Sequence, residues 1–298
     1  MPSGPKAVLT ALCLGLLHSA SAVAETGFAN QKMQVLGRAW LASNDAIGDG
    51  KDRWRSVGFR LSTLVGREWD GQLPARFGEM LEFRYQGEVL APSNLVTPDP
   101  ADRQYAGILS FGLHSHFALG RSEARVGADL VAVGPQTGVA DLHEGVHDAF
   151  GLSAIHPHAQ ELGNGVFPTL SAEYAVPLRL GRHVSLRPFV GARAGDETLV
   201  RIGADLSFGA YDRHALWLRD TGTGHRFIGV RGPDDPRGLY GIVGADLAAI
   251  ADSAWLPDDG AAVAKEYRAR LRGGGGFSAE RWDGFFGLTW LSQEYQGQ

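Results

Sequence analysis

Leu199-Val200-Arg201-Ile202-Gly203-Ala204-Asp205-Leu206-Ser207-Phe208 places Val200, Ile202, Ala204, Leu206 and Phe208 on one face of an extended chain and Arg201, Asp205 and Ser207 on the other. Side chains of a strand alternate between its two faces, so this period of two predicts a strand with one apolar and one polar side. The alternation recurs in Val35 to Ala42, Ser56 to Val65, Met80 to Val89, Tyr105 to Phe117, Ala124 to Val133 and Thr169 to Pro177. It continues in His183 to Ala194, His225 to Arg231, Leu239 to Ile250, Ala262 to Leu271 and Gly284 to Tyr295. About a dozen strands of this kind, an even number, predict an all-β fold: a closed antiparallel transmembrane β-barrel.

Composition points the same way. The chain has 298 residues, 44% of them hydrophobic, and 41 glycines, too many for a helical protein and aperiodic, as strands and turns require. Met1 to Ala24 reads as a cleavable signal peptide: Lys6 supplies the positive end, Ala7 to Leu17 the apolar run, and Ala22-Val23-Ala24 the small-residue cleavage site. Residues 25–298 then form a single barrel domain. No stretch approaches the roughly 18 apolar residues of a membrane helix, so membrane residence means a barrel. Cys13, the one cysteine, lies in the leader, which leaves the mature chain without a disulfide. A formal net charge of -5 argues against nucleic acid as a partner.

Trp54, Trp69, Tyr85, Tyr105, Trp217, Tyr240, Trp255, Trp282, Trp290 and Tyr295 fall at strand ends and are candidates for interfacial girdles. Gly134 to Asn164 departs from the strand pattern, with a helix-like stretch, Val139 to Phe150, before Ile155-His156-Pro157-His158. A short helix in a rim loop is a place where sites are built. His114 and His116 share one strand face and read as lumen-lining; His156 and His158 read as polar loop residues with a metal role as the alternative.

Three separated motifs carry candidate chemistry. Asn44-Asp45 and, after an acidic turn, Ser56 offer oxygens at one end of a hairpin, which suits a hard cation such as calcium; a solvated turn is the plainer reading. Asp102-Arg103-Gln104-Tyr105-Ala106-Gly107 opens another strand, and Gly134-Pro135 precedes the helix that carries His143 and His147.

Taken in order, these motifs and the ending Gln293-Glu294-Tyr295-Gln296-Gly297-Gln298 resemble the LpxR family of outer-membrane lipid A 3-O-deacylases. The resemblance implies a barrel of about twelve strands and calcium-dependent hydrolysis of the ester that holds the 3'-linked acyloxyacyl group of lipid A. It implies His147 as catalytic base, Asn44 and Asp45 as the site-forming pair, Ser56 where the family usually has Thr, and His143 where it usually has Gln. Lipid A and the Gram-negative outer membrane are the implied partners, and a monomer is expected.

Ester hydrolysis needs a base for water and positive charge or donors where the carbonyl oxygen becomes negative. A histidine and an oxygen-ligated calcium ion, held by Asp45, Asn44 and Ser56, meet those needs. Two other readings stand beside this one. A silent barrel of the same family fits the Gln-to-His change at 143. His143-Glu144-Gly145-Val146-His147 also matches the zinc-protease pattern, with Glu161 or Glu173 as third ligand, although Gly145 weakens the helix that pattern needs.

Overall fold

The computed structural model describes residues 32–45, 53–233, 236–258, 260–279 and 282–298; the expected signal peptide lies outside them. The strands are β1 (Gln34–Asn44), β2 (Trp54–Gly66), β3 (Met80–Ala91), β4 (Ala106–Leu119), β5 (Ser122–Val133), β6 (Gly165–Ala175) and β7 (Leu178–Arg179). They continue as β8 (Val184–Ala194), β9 (Glu197–Gly209), β10 (Leu216–Arg219), β11 (Arg226–Val230), β12 (Gly238–Ser253), β13 (Tyr267–Ser278) and β14 (Asp283–Leu291). One helix, α1 (Val139–Phe150), coincides with the expected stretch.

Twelve strands form one sheet in which nearly every strand pairs antiparallel with its neighbour in the chain, because short connections join strands that run in opposite directions. The order runs from β1 to β14, and these are its two ends among the described residues, so the expectation of a closed barrel becomes an antiparallel sheet curled around an interior. The curl is visible in ion pairs across that interior. Arg55 of β2 and Arg103, ahead of β4, both bond Glu294, beyond β14 at the far end of the sheet, each at 2.7 Å.

The sheet is inside out relative to a water-soluble protein. Arg60, Glu82, His114 and Asp205 are buried on its inner face, whereas Ile202, Phe111, Leu288 and Trp290 are each more than half exposed on its outer face. A polar interior with an apolar outer wall is the arrangement of a barrel whose outside meets lipid. His114 and His116 face inward as expected, His114 on Asp129 at 3.0 Å and His116 on Glu82 at 2.9 Å.

Two strand expectations change. His225 to Arg231 is not wall: β11 pairs with β10 as a separate hairpin. Its Leu216, Leu218, Phe227 and Val230 pack with Leu64 and Met80 of the wall, and Arg219 bonds Glu173 at 2.8 Å and Asp205 at 2.7 Å, so the hairpin fills the interior. β13 begins at Tyr267, not Ala262, because Ala262 packs in a loop with Leu256 and Tyr295. The girdle expectation also narrows. Trp282 and Trp290 are exposed on the outside, but Tyr105, Trp217, Tyr240, Trp255 and Tyr295 are buried in packed clusters.

Candidate functional site

The helix is set by glycines at its borders. Gly134 (φ 88°) lies so close to Leu162 and Gly163 that a Cβ there would meet backbone at 2.7 Å, Gly138 (φ 67°) caps the start of α1, and Gly151 (φ 63°) ends it in the left-handed conformation. The first turn then rests on the outer wall. At Gly107 of β4 a Cβ would stand 2.7 Å from the Cβ of Val139, so only glycine permits this approach.

One face of α1 carries Ala140, His143 and His147, spaced three and four residues apart, and all three are buried. Val89, Ala91, Leu95, Tyr105 and Ile155 form the apolar cluster that receives Ala140, with Val57 and Val139 packed against it. A flanking face carries Leu142, Val146 and Phe150, all exposed. A helix that buries histidines against a wall and exposes an apolar stripe has its polarity arranged for lipid, like the wall itself.

The two imidazoles stand edge to face with centroids 5.0 Å apart. His143 Nδ1 lies 3.3 Å from the Tyr105 hydroxyl, and the rings stack at 6.0 Å. His147 Nδ1 lies 2.8 Å from the carbonyl oxygen of Ser153. A carbonyl only accepts, so Nδ1 carries the proton and the ring's lone pair is on Nε2, the tautomer a general base needs.

The Asn44, Asp45 and Ser56 group forms at the same rim. Asn44 ends β1 opposite Val57, the Asp45 N–H donates to the Ser56 carbonyl at 3.0 Å, and the Arg53 N–H donates to Asp45 Oδ2 at 2.8 Å. Ser56 is the extra residue of a β-bulge between Arg55 and Val57. The bulge lets Arg55 line the interior while Val57 packs on the outer cluster with Tyr105 and Ala140. Asn44, Asp45 and Ser56 therefore adjoin the apolar patch on which α1 lies. The Ser56 hydroxyl is fully buried and has no hydrogen-bond partner among the described residues.

An orphaned hydroxyl beside a carboxylate and an amide is a donor set that fits a hard cation such as calcium. Among the described residues no three His, Cys, Asp or Glu side chains gather, so a cation here rests on Asp45 with neutral oxygens. The third ligands of the zinc reading lie elsewhere. Glu161 bonds His158 at 2.7 Å, and Glu173 is in the interior on Arg187 and Arg219. His158 also reaches Asp141 at 3.1 Å, so it ties α1 to the following loop in place of a metal role.

Sequence reasoning missed three partners. Tyr105 was legible only as part of Asp102-Arg103-Gln104-Tyr105, and Ser153 acts through its backbone, which no side-chain motif reveals. The third is a clamp between two quoted motifs: Arg103 bonds Glu294 at 2.7 Å, and the Tyr295 hydroxyl donates to Asp102.

A model of the family described as "Outer membrane protein LpxR" matches residues 8–298. The solved structure of LpxR from Salmonella typhimurium superposes with a TM-score of 0.69 at 16% identity, over 87% of this chain and 94% of that one. No curated protein sequence matches.

Proposed function

The chain belongs to the LpxR family, and from that premise we propose that it is an outer-membrane hydrolase that removes the ester-linked 3'-acyloxyacyl chain from lipid A. The proposal includes closure of the curled sheet into a transmembrane barrel, in keeping with its apolar outer wall. What supports it is the burial of His143 and His147 on the α1 face that also carries Ala140, which packs in one outer cluster with Val57, the residue next to Ser56 and opposite Asn44. A site on the outside of the wall faces the hydrophobic layer in which an acyl ester lies. A site in the lumen would not.

His147 takes a proton from water through Nε2, while the Ser153 carbonyl fixes the ring. His143, held by Tyr105, presents a ring where the family usually has an amide, and it can donate to a developing oxyanion. Asp45, Asn44 and Ser56 would hold calcium, whose charge when bound polarises the ester carbonyl.

Mass spectrometry of purified lipid A incubated with the protein tests this reading. With calcium, the wild type and Glu144→Gln should release the acyloxyacyl group. Chelator should stop release, and His147→Ala should lower its rate by roughly 10²–10⁴-fold. Equal loss in both variants, restored by zinc and not calcium, would replace this mechanism with a zinc site. Lipid A unchanged in every arm would leave a silent barrel of the same fold.

A further inference from the structure

Along most of the lumen each guanidinium meets a carboxylate: Arg272 bonds Asp205 at 3.0 Å, Arg270 bonds Asp246 at 2.9 Å, and Arg268 bonds Glu197 at 2.6 Å. The balance fails at one end. A cavity of about 290 Å³ opens there between the Gly120–Arg121 turn, Pro177 and the β10–β11 hairpin. Because α1 follows the far end of β5 and this turn precedes its near end, the cavity lies at the mouth opposite the candidate hydrolytic site.

Its two carboxylates are already engaged. Arg187 bonds Glu123 at 2.6 Å and Glu173 at 2.8 Å, and Arg219 bonds Glu173 at 2.8 Å. Four further arginines line the same space with no carboxylate at ion-pair distance among the described residues: Arg121 on the exposed turn, and Arg125, Arg213 and Arg226. Arg226 donates to the neutral Tyr211 hydroxyl at 3.0 Å and stands over the Trp217 ring, with Glu123 and Asp205 reaching it only at longer range, and Arg213 donates to the Gly181 and Arg182 carbonyls. Arg125 has a buried Nη1 with no hydrogen-bond partner there at all. Like charges gathered away from water repel, and a buried guanidinium with no carboxylate in contact is costly.

We propose that this cavity binds an oxyanion of the phosphoryl class, held by Arg125, Arg226 and Arg213. Guanidinium forks match phosphoryl oxygens in pairs, and a doubly charged group offsets several of them at once. The site is independent of Asp45 and His147, so its failure would leave the proposed hydrolysis untouched.

Trp69 and Trp217 line the cavity, so the intrinsic fluorescence of the full chain in neutral detergent should report occupancy. One arm titrates inorganic phosphate against chloride at constant ionic strength; the other titrates a short-chain phosphatidic acid in mixed micelles. A saturable response in the first arm assigns a free anion, and one confined to the second assigns a lipid-borne phosphate. Either response should weaken tenfold or more in Arg125→Gln and in Arg226→Gln. Should Arg125→Gln fail to fold, Arg213→Gln at the partly exposed mouth carries the same expectation. Responses that match chloride in both arms, or wild-type affinity in the folded variants, would overturn the proposal.

Discussion

At the scale of single residues, the Tyr105 hydroxyl and the Ser153 carbonyl decide how the two imidazoles of α1 stand. Tyr105→Phe keeps the ring in its apolar cluster and removes the 3.3 Å contact to His143. A hydrogen bond of this kind contributes about 0.5–1.5 kcal/mol. Lipid A release should therefore slow by about three- to tenfold with folding intact. A rate equal to wild type would show that His143 works without its tyrosine. Ser56 was legible as an oxygen donor, but its bulge was not, since a local insertion depends on pairing with β3 and leaves the alternation on both sides looking regular.

At the scale of elements, α1 makes two testable contributions. Its stripe of Leu142, Val146 and Phe150 is exposed beside the wall. Replacing Leu142 and Phe150 by Glu should lower release from lipid A in bilayers and leave release from detergent-dispersed lipid A near wild type; an equal loss in both would assign the stripe a purely structural role. The second contribution is the His158 tie. The hydrogen bond that His158 donates to Glu161, with Asp141 adding to it, raises the His158 pKa above its ordinary value near 6.5. A raised folded value means that the contribution is full below the unfolded pKa and is lost as pH rises through the folded one. Because the ring is half exposed, the effect is small. Hydrogen exchange of the α1 amides should quicken from pH 6 to pH 9 more in the wild type than in His158→Gln, after correction for intrinsic exchange. Identical profiles would remove the tie.

The elements also mark where sequence reading stops. The helix Val139–Phe150 and most wall strands were legible because periods of 3.6 and 2 differ plainly. The β10–β11 hairpin was not, since a short alternating strand reads alike whether it lies in a wall or inside it. The Gly273-Gly274-Gly275-Gly276 run sits in the middle of β13, where glycine weakens strands. The rings of Phe285 and Tyr240 occupy the space above Gly274 and Gly276 and supply the packing that the glycines lack. Buried aromatics such as Trp217 and Tyr295 were taken for girdles because strand-end position does not say which way a ring points. The paired oxygens of Asn44, Asp45 and Ser56 were legible as one group because a hairpin brings its own ends together, whereas their nearness to α1 depends on strands far away in sequence.

At the scale of the whole molecule, the C-terminal segment ties together elements far apart in the sheet. Glu294 joins Arg55 of β2 and Arg103 ahead of β4, while the segment that carries it follows β14. Burial pushes its carboxyl up, but Arg55, Arg103 and Arg268 outweigh burial and hold it well below the ordinary carboxylate range. A depressed folded value gives stability above the unfolded pKa of about 4.3 that is lost as pH falls below it. Glu294→Gln leaves the Arg103 cation uncompensated and should cost on the order of 3–5 kcal/mol. The temperature at which the folded form converts to the slower-migrating form on a gel should drop at pH 7, and the gap to wild type should narrow toward pH 3. An unchanged temperature would mean that the clamp contributes no net stability.

The β10–β11 hairpin gives the molecule a further property. With the hairpin and its arginines packed across the interior, the curled sheet surrounds side chains, with separate cavities between them. In the proposed membrane setting such a protein adds area to the bilayer without adding a hole, so a cell could carry it at high copy number while its outer barrier stays tight to ions, nutrients and toxic solutes alike.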